Sequence, residues 1–183
     1  MSIVQSLVCV VCLGASWVLE ADANPQPAKA EARHGFAAAW AGGPGAMTVD
    51  GFGTYQAALL MARLGWRFSG GTALFIGATN ARSIDGDADG YLYEGAIAVH
   101  GQFLTTERTW VEVGAGWSVT HEVRDGNERM VVGKMGLGAS VAGGLVLGTA
   151  GRLSIDLRVV AQEAIHPFGR AEQLGLLLGV SWN

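Results

Sequence analysis

The feature that most constrains this chain is the alternation at its C-terminus. Within residues 173–183, Leu174, Leu176, Leu178, Val180 and Trp182 fall on one side of an extended chain. Gln173, Gly175, Leu177, Gly179 and Ser181 fall on the other, because successive side chains of a strand point to opposite faces. One face is apolar and ends in a tryptophan. The other is mostly small or polar. That division suits a strand with lipid on one side and a crowded, polar interior on the other.

The same period recurs upstream. Eight strands are expected, at about 34–42, 54–68, 72–82, 91–104, 109–121, 130–147, 152–164 and 173–183. In the third, either Leu74, Ile76 and Ala78 or Ala73, Phe75 and Gly77 form the apolar face. The connections at 43–53, 83–90, 122–129 and 165–170 are longer and mostly more polar than the turns between them. All four prolines (Pro25, Pro27, Pro44 and Pro167) fall outside these segments, as a hydrogen-bonded ladder requires.

Composition points the same way. Hydrophobic residues make up 50% of the chain and charged residues 15%, with 28 glycines. Beyond the first twenty residues no apolar run is long enough for a membrane helix. Amphipathic strands in lipid must satisfy every backbone group within a closed sheet. The expected fold is therefore all-β: an eight-stranded antiparallel up-and-down transmembrane β-barrel over 34–183, the smallest usual closure. By parity Arg63, Arg67, Glu94, His100, Glu112, Lys134, Arg152, Asp156 and Arg158 point inward as a charge network. Facing lipid at mid-depth, an Arg or Lys costs about 2–4 kcal/mol. Aromatics sort into two bands. Phe36, Trp66, Phe68, Phe103 and Trp182 lie toward the end that holds the termini, and Trp40, Tyr91, Tyr93 and Trp117 toward the other. The alternative outside the membrane is a secreted, lipocalin-like barrel with an apolar ligand cavity and charges outside.

Residues 1–23 have the form of a secretory signal peptide, with an apolar run and an A-x-A site at Ala21–Ala23. Residues 24–33 form a Pro/Ala/charged linker, expected to be disordered. Both cysteines, Cys9 and Cys12, lie in the signal segment, which leaves the mature chain without disulfide or thiol chemistry. Removing Glu20 and Asp22 leaves 14 acidic and 12 basic residues, a balance that offers nothing to nucleic acid.

With its signal segment, strand pattern and closing strand, the chain resembles the small outer-membrane β-barrel proteins of Gram-negative bacteria, of the OmpA/OmpX/OmpW-like type. The resemblance covers about 35–183. In that family the last strand carries an assembly signal, and Gln173, Gly175, Leu178, Val180 and Trp182 match it. Asn183 stands where the family usually ends on an aromatic residue. The resemblance implies export to the periplasm, insertion by the outer-membrane assembly machinery and contact with outer-membrane lipid. It implies no particular activity.

Candidate chemistry is sparse. Asp85, Asp87 and Asp89 resemble the start of a calcium loop, but the twelfth position is Ala96 rather than Glu, so they are only a weak metal candidate. Ser118 and His121 are three apart and face opposite sides of a strand, so they form no nucleophile–base pair. The expectation is a non-enzymatic surface barrel without a cofactor, its interior plugged by the charge network. It would meet an extracellular partner through its loops. A narrow solute channel is the alternative within the membrane.

Overall fold

The structure, a computed structural model, describes residues 34–84, 90–124 and 135–182. The signal segment, the linker, Asp85, Asp87, Asp89, Lys134 and Asn183 lie outside the described residues. Eight strands follow one another: β1 Gly35–Val49, β2 Gly53–Arg67, β3 Thr72–Ser83, β4 Gly90–Leu104, β5 Thr109–Arg124, β6 Gly136–Ala150, β7 Leu153–His166 and β8 Gly169–Trp182. Each pairs antiparallel with the next, and β1 pairs with β8, closing the barrel.

The register fixes the tilt. From Ala39 the pairing runs through Arg63, Gly77, Ala98, Gly116, Gly138, Ala164 and Ala171. It returns to β1 at Val49, ten residues along from where it began. A closed sheet with that stagger has strands inclined by about 40–45° to the barrel axis.

Alternation sorts the two faces as hydrophobicity demands. Outward residues include Leu137, Ile76 and Trp40, exposed by 68%, 65% and 64%. Inward, Arg63, Glu94, His100, Glu112, Asp156 and Arg158 are buried. The ambiguous third strand is settled: Leu74 and Ile76 face out, and Ala73 and Phe75 face in.

Several sequence expectations are corrected. The segment 43–53 is not a loop; β1 continues to Val49 and a short turn follows at 50–52. Pro44 is therefore inside a strand. Pairing of β1 with β2 runs unbroken past it, whereas pairing with β8 is interrupted at Gly43 and Pro44. A proline has no N–H to give to a ladder. Here the Leu176 carbonyl approaches the Gly43 backbone so closely that a Cβ would collide with it. Likewise 165–170 is a two-residue hairpin at Pro167 and Phe168, closed by β7 and β8. Connections at the end opposite the termini are thus not uniformly long: those after β1 and β7 are tight. Because β1 is longer than expected, Trp40 stands beside Val180, close to the terminal end. Trp117 faces Ile97 near the middle of both strands. The aromatics near the opposite end are Phe52, Tyr55, Tyr91, Tyr93 and Phe168.

The interior is not uniformly polar. Met47, Val49, Leu59, Met61, Leu92, Trp110, Val160 and Leu177 form a buried apolar cluster within it. Met47 and Val49 come from the segment first read as loop, which hid this cluster from the sequence.

Candidate functional site

Among the described residues, polar chemistry is gathered in the barrel interior. Its large side chains rest on glycines of neighbouring strands. Trp110 occupies the space over Gly144, His100 that over Gly114, His166 that over Gly136, and Arg158 that over Gly179. Trp110–Gly144 and His100–Gly114 are direct cross-strand partners. A glycine opposite a large residue lets a narrow barrel hold it.

Two polar clusters result. The first lies toward the terminal end. Arg63 forms an ion pair with Glu112, whose other oxygen lies 3.1 Å from His100 Nδ1. Arg158 donates from Nε and Nη2 to both oxygens of Asp156, at 2.6 and 2.8 Å, and Ser181 Oγ donates to Asp156 at 3.1 Å. Both guanidiniums lie against the Trp110 ring, Arg63 at 5.7 Å and Arg158 at 5.3 Å from its centre. Arg67, half-buried, donates to Gln102 at 3.4 Å. Bidentate Arg–carboxylate geometry offsets the desolvation of both charges.

The second cluster lies toward the opposite end. Ser118 donates to Glu94 at 3.2 Å, and Ser118 Oγ lies 3.0 Å from His166 Nε2. Thr120 lies 3.4 Å from the same nitrogen, and Phe168 stacks on the imidazole. Serine, histidine and glutamate thus meet at one place in the lumen. Here the carboxylate accepts from the serine itself, and Ser118 and Glu94 are 1% and 0% exposed.

Of the expected inward charges, Arg63, Arg67, Glu94, His100, Glu112, Asp156 and Arg158 point inward. Arg152 does not: it is exposed in the β6–β7 turn, its guanidinium 5.5 Å from the centre of the Trp182 ring. Strand parity broke at that turn. His166, Trp110 and Ser118 are interior residues that sequence reasoning did not assign to the network. The signal for His166 was its parity with Gln162 and Ala164, lost when β7 was ended early. Among the described residues no three potential metal ligands converge. In β8, Leu178 and Val180 face out and Gln173 and Gly175 face in, with Trp182 against Phe36 at a centroid distance of 5.9 Å.

No protein-family model and no curated protein matches the sequence. Solved structures do match in fold. Neisserial surface protein A (NspA) superposes with a TM-score of 0.61 at 13% identity, over 80% of this chain and 96% of that one. Ail, the attachment invasion locus protein of Yersinia pestis, has been crystallised with the heparin analogue sucrose octasulfate. It superposes with a TM-score of 0.60 at 9% identity, over 82% of this chain and 99% of that one. A second Ail structure gives 0.58 at 12% identity, over 82% of this chain and 100% of that one.

Proposed function

We propose, on the eight-stranded barrel fold that this chain shares with NspA and Ail, that it is an integral outer-membrane protein with a structural or surface-interaction role. The observation that carries this reading is the inversion of its faces. Large apolar side chains are exposed around the outside, while paired charges are buried within. In water that arrangement exposes far more contiguous apolar surface than a soluble monomer tolerates. In lipid it is what a barrel needs. The same inversion disfavours the secreted ligand-binding barrel.

The role is assigned to the end opposite the termini, at the connections that follow β1, β3, β5 and β7. The reading includes entry through the outer-membrane assembly machinery, supported by the closing strand. It includes no catalysis, supported by the burial of Ser118 and Glu94 inside the lumen. A polyanion such as the one held by Ail is disfavoured as the partner, because Asp85, Asp87 and Asp89 make that segment acidic. The test is fractionation with electrophoresis of boiled and unboiled detergent extracts. A folded membrane barrel migrates differently in the two lanes and co-sediments with outer membrane. Recovery in the soluble fraction would refute the reading.

A further inference from the structure

The lumen is filled unevenly. On the β1, β2 and β8 side Met47, Leu59, Met61 and Leu177 close it. On the β4–β6 side the inward residues are small, and a void lies against them. Ala96, Ala98, Gly116, Gly138, Ser140 and Gln162 line it. Ala96, Ala98 and Ser140 stay partly exposed although they face the inside of the barrel. Room for the centre of a water molecule amounts to about 10 Å³. That is close to what one water needs and too little for a larger solute.

Size alone does not decide between wet and dry. A void with apolar walls stays empty, whereas one with polar partners holds water. Three features make this one polar. Gln162 is 4% exposed, and its Nε2 has no hydrogen-bond partner. A buried amide is costly without one, and turning about its last side-chain bond presents either end of it. Ser140 is the direct cross-strand partner of Gln162 and brings a hydroxyl, donor and acceptor in one, to the same wall. The backbone carbonyls of that wall each keep a second lone pair beyond their ladder bond.

We propose that this void is a binding site for a single ordered water, held by the Gln162 amide and the Ser140 hydroxyl. The water completes the hydrogen bonding of Gln162 and fills space that the small side chains of β4, β5 and β6 leave. It is a fixed part of the lumen packing on this side, as Leu59 is on the other. Glu94, His166, His100 and Glu112 do not line the void. The water is therefore a local filler and no link between the two polar clusters. The site stands on burial and space inside the barrel and does not depend on the membrane reading.

The test is magnetic resonance on the folded protein in detergent micelles, isotope-labelled at glutamine side chains and alanine methyls. A long-lived water exchanges magnetisation with protons beside it. The Gln162 side-chain amide should show a water cross-peak of the sign that marks proximity rather than proton exchange. Gly138→Ala should reduce that peak to noise. A Cβ at Gly138 meets nothing closer than 3.4 Å, so the methyl enters without displacing backbone. Xenon, which enters dry apolar voids, should leave the Ala96 and Ala98 methyl signals unmoved in the wild type. A folded wild-type protein without the water peak, or with xenon-shifted Ala96 and Ala98 methyls, overturns the proposal. So does a folded Gly138→Ala that keeps the peak, because the water would then sit elsewhere. Should Gly138→Ala fail to fold, the wild-type peak and the xenon response still decide the matter.

Discussion

Trp110 lies directly across the β5–β6 ladder from Gly144, and its indole fills the space in which a Gly144 side chain would begin. The indole cannot retreat freely, because two guanidiniums lie against it and it is 4% exposed. Gly144→Ala should therefore destabilise the barrel by about 1–3 kcal/mol, the usual range for overpacking. Urea titration in detergent micelles measures it. Trp110→Leu in the same chain should recover part of the loss, and additive losses would show that the two sites do not touch.

Arg158 and Asp156 form a buried bidentate pair. Asp156→Ala leaves the guanidinium without a carboxylate and should cost about 3–5 kcal/mol. Replacing both by apolar residues of similar size, Arg158→Met with Asp156→Leu, should cost much less. A double variant as unstable as the single one would mean that the pair holds the barrel together by more than mutual compensation.

Leu178 is 57% exposed on the outside of the closing strand. Leu178→Arg should cost about 2–4 kcal/mol if it meets lipid near mid-depth. The heat-modifiable species in outer membranes should drop or vanish. Arg170, on the same parity but near the β7–β8 hairpin, already carries a charge and pairs with Glu163 at 3.6 Å. Arg170→Leu should leave folded levels nearly unchanged.

Gly43 and Pro44 behave oppositely. A Cβ at Gly43 collides with the backbone of Leu176 and Leu177, so Gly43→Ala should destabilise the β1–β8 seam. Pro44→Ala restores an N–H where pairing with β8 is broken, and one recovered hydrogen bond is worth about 0.5–1.5 kcal/mol. Thermal unfolding of the two variants should therefore shift in opposite directions. A loss of stability at Pro44→Ala would show that the interruption is itself favoured.

Alternation carried the architecture. In β2, β4, β5 and β7 the outward positions are mostly apolar and the inward ones mostly small, polar or charged, and those faces came out as expected. Where local signals compete with period two, sequence reasoning fails. Gly43, Pro44 and Gly45 have the chemistry of a turn, yet pairing across the closed sheet holds them in β1. Pro167 was read as part of a longer loop, although it needs only a two-residue hairpin. Both errors removed inward residues from view, Met47 and Val49 in one case and His166 in the other. Neither the apolar cluster nor the Ser118–His166 contact is a pattern along the chain. Each arises from strands brought together by the ten-residue stagger.

That stagger also sets a height. Strands of 14 or 15 residues, rising about 3.3 Å per residue and inclined by about 40–45°, reach about 35 Å along the axis. The apolar girth of a membrane barrel is only about 25 Å tall. In the membrane proposed for it, some 10 Å of sheet would therefore stand clear of hydrocarbon as a collar. Outward residues near its upper strand ends include Gln56, Arg82, Glu163, Arg170 and Glu172, which water and lipid headgroups would accept, beside the exposed Leu137 and Ile165. At this collar a partner would meet ordered β-structure, with its side chains already held in register.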